Sequence, residues 1–173
     1  MEANIMQRIK IGKVVVNICT GPGEKLEKAV KVLEELTGQK PCRRRAKKTI
    51  REFGIRRGED ISCMVTLRRE RAEEFLQRAL AAKGNTIKRS SFDKSGNLSF
   101  GIKEHLDMPR TKYDPSIGIF GMDVTVVFEK PGYRVARRRR RRSKVGKEQK
   151  VKITEAIEYL KNKFGVKVVE ENG

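Results

Sequence analysis

The stretch Ile9-Lys10-Ile11-Gly12-Lys13-Val14-Val15-Val16-Asn17-Ile18-Cys19 decides how the rest of the chain is read. Its β-branched residues favour extended backbone, and period-two alternation puts Val14, Val16 and Ile18 on one face and Val15, Asn17 and Cys19 on the other. This predicts a strand with one buried face and one partly polar face. Gly21-Pro22-Gly23 breaks it, and Leu26, Ala29, Val30, Leu33 and Leu36 then recur at helical spacing until Gly38 offers a C-terminal cap. The Gly-Pro-Gly cluster reads either as a plain turn opening that helix or as backbone N–H groups presented to a phosphate.

Further along the chain the same alternation returns. Ile61, Cys63, Val65 and Leu67 alternate with Ser62, Met64, Thr66 and Arg68, which predicts a second half-buried strand with Thr66 and Arg68 on its polar face. Ala72, Phe75, Leu76, Ala79 and Leu80 form the inner stripe of a second helix ended by Gly84. Residues 92–98 read as a hairpin or tight loop. Met122, Val124, Val126 and Phe128 alternate with Asp123, Thr125, Val127 and Glu129 in another strand, closed by Pro131-Gly132. Thr154 is a plausible N-cap for a last helix with Ile157, Leu160 and Phe164 on its apolar stripe, ended by Gly165, and residues 166–169 add a short strand. Strands that alternate in polarity leave one sheet face uncovered, so the expected fold is α+β: an antiparallel sheet with helices packed mainly on one face and an exposed polar face able to dock RNA.

Charge says what such a face would meet. Of 173 residues, 41 are Lys or Arg and 22 are Asp or Glu, a formal net charge of +19. That is far from the balance of an ordinary enzyme of this size and points to a polyanion. The excess is localised. Residues 40–58 hold nine basic residues against Glu52, and residues 130–152 hold twelve against Glu148, so these two segments account for all of it and the remainder balances at twenty each. Unmixed cationic runs repel themselves, and phosphate is the partner that supplies counter-charge at this density. With 37 % apolar residues there is material for one core, so a single domain over residues 1–173 is expected, with a basic loop at 46–60 and an Arg-rich segment at 130–152 as extensions. No run approaches the roughly 20 apolar residues of a membrane span, and no signal pattern opens the chain, so a cytoplasmic location with no membrane partner is expected.

Catalytic and metal chemistry is poorly supplied. Cys19, Cys42 and Cys63 are odd in number and widely spaced, which reads as buried free thiols rather than a disulfide framework or a zinc ribbon, and His105 is the single histidine. Neither a cofactor nor a metal is expected. Glu104, Asp107 and Asp114 near His105 read as loop hydrogen bonding rather than a catalytic group. Gly118-Ile119-Phe120-Gly121 has the bare spacing of a KH loop, but its apolar middle pair is wrong for clamping phosphates. The chain lacks tryptophan and the aromatic strand of an RRM, so recognition should rest on phosphates and shape.

Six strings then stand out together: KVVVNICTGPG (13–23), LTGQKP (36–41), AKKTIREFGIRRGE (46–59), CMVTLRRERAEEFL (63–76), FGIKEHLD (100–107) and YDPSIGIFGMDVTV (113–126). In this order they resemble the universal large-subunit ribosomal protein five family, the family that binds 5S rRNA. The Tyr-Asp-Pro-Ser-Ile-Gly stretch and the arginine-rich insert look like its archaeal and eukaryotic branch. The resemblance implies a structural, non-enzymatic constituent of the large ribosomal subunit, ribosome-bound, whose concave sheet face holds 5S rRNA in the central protuberance. The matching RNA-facing positions are Asn17, Gln39, Lys40, Thr66 and Arg68. The family's loop toward peptidyl-site tRNA matches residues 46–60, so Lys47, Lys48, Arg51, Arg56 and Arg57 would meet the tRNA backbone. Large-subunit rRNA, neighbouring central-protuberance proteins and a small-subunit bridge protein are the further implied partners. The run Arg137, Arg138, Arg139, Arg140, Arg141 and Arg142 departs most from the family pattern and is assigned to rRNA phosphates by its charge. Without the family, the open alternatives are a free-standing RNA chaperone or non-specific coating protein, and an RNA-modifying enzyme.

Overall fold

The computed structural model describes residues 4–109, 111 and 114–170; Tyr113, the first residue of one family-like string, and the two ends of the expected 1–173 domain lie outside them. The deciding stretch forms β1 (Lys10–Cys19). Gly21-Pro22-Gly23 turns the chain into α1 (Glu24–Thr37), which stops at Gly38 in a left-handed conformation. An edge strand β2 (Cys42–Arg45) leads through the basic loop into β3 (Asp60–Leu67), followed directly by α2 (Arg69–Ala82). The rest runs β4 (Thr86–Lys88), β5 (Leu98–Ile102), β6 (Met122–Glu129), α3 (Arg134–Arg137), α4 (Ile153–Phe164) and β7 (Lys167–Val169).

Five strands pair antiparallel in the order β2-β3-β1-β6-β5, while β4 and β7 form a separate parallel pair. The architecture is therefore α+β, as the alternation predicts. One sheet face carries Val14, Val16, Ile18, Cys63, Val65, Leu67, Leu98, Phe100, Val124, Val126 and Phe128, all buried. Against it lie Leu26, Ala29, Leu33 and Leu36 of α1, Ala72, Phe75, Leu76 and Ala79 of α2, and Ala156 and Leu160 of α4, in one continuous core. Each large apolar side chain so buried contributes about 1.5–3 kcal/mol, which is why the sheet shows this face to the helices.

Several local readings shift. Val32, rather than Val30, is fully buried on α1, and Val30 sits at the core margin. The last helix begins one residue before Thr154, with Lys152 as its N-cap: the Lys152 N–H donates to the Glu155 carboxylate at 3.1 Å, the glutamate half of a capping box. The 92–98 turn is tight because Asp93 accepts from the N–H groups of Ser95 and Asn97, each at 2.8 Å. Three strands go unannounced in the sequence: β2, whose Cys-Arg-Arg-Arg reads as charge, the short β4, and β5, which reads as the far side of a loop.

Candidate nucleic-acid interface

Strand register builds the open face row by row, because directly opposed residues share a face. Cys42, Met64, Asn17, Asp123 and Gly101 form one row across all five strands. Thr66, Val15, Thr125 and Ser99 form the next, where the Ser99 and Thr125 hydroxyls meet at 3.0 Å. Arg44, Ser62 and Cys19 lie on one side of these rows, and Lys13 with Val127 on the other. Helices α1, α2 and α4 pack on the opposite face. This one mixes polar groups with Val15, Met64 and Val127, with cations toward the β2–β3 side and Asp123 on β6.

Asn17 and Thr66 are diagonal neighbours on this face and both are half-buried. Arg68, exposed, follows β3 in extended backbone (φ −141°, ψ 160°) before α2 begins. Gln39 and Lys40, both exposed, precede β2. The Thr37 hydroxyl donates to the Leu33 carbonyl at 2.6 Å, tying down the end of α1 from which they depart. Gln39 and Lys40 stand just before Cys42, which pairs with Met64, two residues before Thr66. The structure thus puts Thr66 and Asn17 on the open face and Gln39, Lys40 and Arg68, all exposed, next in the chain to the paired residues of β2 and β3. Sequence reasoning missed Lys13 and Arg44, which share that face. Lys13 continues the alternation of Val15, Asn17 and Cys19 without interruption, so its signal is present in the sequence, whereas Arg44 is hidden by the unrecognised strand β2.

The basic loop 46–60 connects β2 to β3 at the opposite end of this edge and is ordered by its own backbone. Ala46 N–H donates to Glu59 O at 2.8 Å and Gly58 N–H to Ala46 O at 2.9 Å. Ile50 and Ile55 exchange bonds of 2.9 and 3.0 Å around a short turn that Gly54 closes at φ 64°. Lys47, Lys48, Arg51, Arg56 and Arg57 are exposed and form no ion pair among the described residues, and Phe53 stands 73 % exposed near the tip. Two cations of the neighbouring β2 are used internally: Arg43 binds Glu27 of α1 at 2.8 Å, and Arg45 Nε lies 3.4 Å from Asp60 Oδ1.

At the other end of the sheet, beyond β6, the arginine run is a folded hook rather than a tail. Arg137 lies in α3 and pairs with the buried carboxylate of Glu129, so this member of the run is neutralised within the protein. Arg138 Nε donates to Arg141 O at 2.8 Å, and Ser143 N–H to Val135 O at 3.2 Å. Arg139, Arg140 and Arg142 are exposed and carry no ion pair or hydrogen bond among the described residues. Lys130, counted with the basic segment, is buried and bound to Glu155 at 2.8 Å.

The other candidates resolve structurally. Gly21 N–H is spent on Ile61 O at 3.0 Å, which leaves it unable to hold a phosphate. In the Gly118–Gly121 segment, Phe120 N–H donates to His105 Nδ1 at 3.2 Å and Phe120 O accepts from His105 N–H at 2.8 Å, so the histidine is a buried loop anchor. Asp114 accepts from Ser116, whose hydroxyl and N–H hold its carboxyl below the ordinary range. Only Cys63 is a buried thiol, and burial pushes it up to about 11. Cys19 and Cys42 are exposed, contrary to expectation, because their register puts both on the face that no helix covers.

Residues 4–56 match the family model of ribosomal protein L5, and residues 60–159 match the model of that ribosomal family's C-terminus. The chain is 61 % identical over 169 residues to large ribosomal subunit protein uL5 of Pyrobaculum aerophilum, covering 97 % of this chain and 94 % of that one. It is 54 % identical to the Sulfurisphaera tokodaii protein of the same name, covering 96 % of each. Against that of Methanosphaera stadtmanae the identity is 50 %, covering 95 % of this chain and 99 % of the relative. With both halves matched and relatives half or more identical along nearly the whole length, the chain belongs to the ribosomal protein L5 family.

Proposed function

We propose that the protein is a structural constituent of the large ribosomal subunit, ribosome-bound in the cytoplasm and without catalysis of its own, that holds 5S rRNA on its open, concave sheet face in the central protuberance. It does so as a single ribosomal-protein domain with the loop 46–60 and the segment 130–152 as basic extensions. The observation that carries this reading is a largely polar sheet face on which α1, α2 and α4 do not pack, with cation clusters at its two ends. Asn17, Thr66 and Gln39 set register against a folded RNA by hydrogen bonds. Lys40 and Arg68 neutralise phosphates beside them. Lys47, Lys48, Arg51, Arg56 and Arg57 reach the backbone of peptidyl-site tRNA from the far end of β2 and β3. The hook cations meet large-subunit rRNA, and the outer surface faces neighbouring central-protuberance proteins and a small-subunit bridge protein. That the curated relatives are named large ribosomal subunit proteins supports the assembly.

Competition between 5S rRNA and a scrambled RNA of equal length tests the reading, with preference for 5S expected and equal binding overturning it. Within the site, Arg68→Ala should weaken 5S rRNA binding by about 1–3 kcal/mol and leave the thermal midpoint nearly unchanged, since the side chain is exposed. A lowered midpoint with unchanged affinity would make Arg68 a structural residue instead.

A further inference from the structure

Two ionisable residues side by side in the chain, Glu129 and Lys130, are both buried at the end of β6. A buried charge is retained only where a partner holds it. Glu129 holds Arg137 at the start of the hook, and Lys130 holds Glu155 at the start of α4, so both ends of the Arg-rich segment are clamped to the same strand end. Between them the Gln149 amide donates to the carbonyls of Met6 and Pro131, each at 2.7 Å. Across the sheet, space for the acid is made by Gly12, where a Cβ would stand 2.4 Å from the Glu129 carboxyl carbon and 2.5 Å from Oε1. The hook itself closes on Ser143 N–H to Val135 O and Arg138 Nε to Arg141 O, with Arg141 in the left-handed region at φ 50°, a conformation an arginine keeps only when its surroundings hold it there.

We propose that the arginine run is a preformed clamp for an RNA phosphate backbone, in which Glu129 is the positioning residue, Arg137 is the anchor rather than a ligand, and Arg139, Arg140 and Arg142 carry the contacts. This rests on the RNA-binding reading above and deepens it by dividing six chemically identical residues into two roles. Pre-ordering matters because like charges held close together repel in the free protein. A segment that had to collapse on binding would meet that repulsion, together with the loss of chain entropy, at the moment of association.

The sign of one effect separates this from plain electrostatics. Glu129→Leu removes an acid, so a charge-only view expects tighter RNA binding. The clamp expects binding of the full-length protein to a random-sequence RNA duplex of 20 base pairs to weaken roughly three- to tenfold. The double variant E129L/R137L, which leaves no unpaired buried charge, should be no weaker than R137L alone, since the two residues act as one unit. Ser143 N–H should be protected from exchange in the free wild-type protein and exposed in E129L, with the thermal midpoint of each variant recorded beside it. Unchanged or tighter binding by E129L, additive losses in the double variant, or an unprotected Ser143 amide in the free wild type would each overturn the proposal. A wild-type protein that binds the duplex as tightly as 5S rRNA would instead sink the 5S reading and leave the clamp standing.

Discussion

The loop at residues 46–60 and the hook at residues 134–143 are both arginine-rich, yet the fold uses their cationic side chains differently. The loop is a hairpin whose backbone bonds close at Ala46, Ile50, Ile55 and Gly58, and its five exposed cations form no ion pair among the described residues. The hook adds to its backbone bonds the cationic side chains themselves: Arg137 on Glu129, Arg138 on the Arg141 carbonyl, and Lys130 on Glu155 at the base of the segment. Backbone order leaves side chains free, so every loop cation is available to a ligand. Side-chain order commits some cations inward, so the hook offers fewer contacts than its sequence advertises. A local count of positive charge therefore overstates the RNA-binding capacity of one region and not of the other.

The sharpest way to break this contrast is at the glycine beneath the hook. Gly12→Ala should drive the Glu129 carboxylate from its place and part it from Arg137, costing about 3 kcal/mol of stability by denaturant unfolding. A loss under about 0.5 kcal/mol would mean that the buried pair is not what seats the hook. Next in size, Arg56→Gln with Arg57→Gln should leave stability within about 0.5 kcal/mol, lower the slope of log affinity against log salt by about 2, and loosen peptidyl-site tRNA while 5S rRNA binding persists. Loss of 5S binding with intact tRNA affinity would reverse the assignment of the loop. Smaller again, Gly54→Ala meets no atom within 4 Å, so its cost is the left-handed backbone alone, about 1 kcal/mol.

The smallest effect is a pH dependence. Burial by itself raises the Glu155 carboxyl, but the hydrogen bonds from Lys130 and the Lys152 N–H, with the charges of both lysines, outweigh it and hold the group below its ordinary range. A carboxyl lowered on folding stabilises the fold fully above its unfolded pKa, near 4.5 here, and loses that contribution as pH falls through its folded value. Thermal midpoints of wild type and E155Q should therefore differ at pH 7 and converge as pH is taken below about 4.5. A gap that stayed constant into acid would show that Glu155 acts by packing rather than charge.

How much of this was legible beforehand depends on the range of the interaction. The period-two and helical patterns found β1, β3, β6, α1, α2 and α4 with their buried faces, because burial of one face is written in each segment separately. Asn17, Thr66 and Arg68 could be placed opposite the apolar stripes for the same reason, and the Thr-Gly-Gln turn with Lys40 came from resemblance to the family rather than from pattern. Lys13 and Cys19 lie on the Asn17 face that the same alternation defines, so both were legible, whereas Arg44 and the exposure of Cys42 were not, since an edge strand decides them.

By itself, then, the chain determined its class, its elements and the places where positive charge gathers: alternation and net charge are properties of neighbouring residues. Tertiary structure alone decided which of those charges face outward. Glu129 and Arg137 are eight residues apart on different elements, and the space that lets them meet is the missing side chain of Gly12, more than a hundred residues earlier on the adjacent strand. Nothing local distinguishes Arg137 from Arg139; a buried carboxylate brought near only by the folded sheet does.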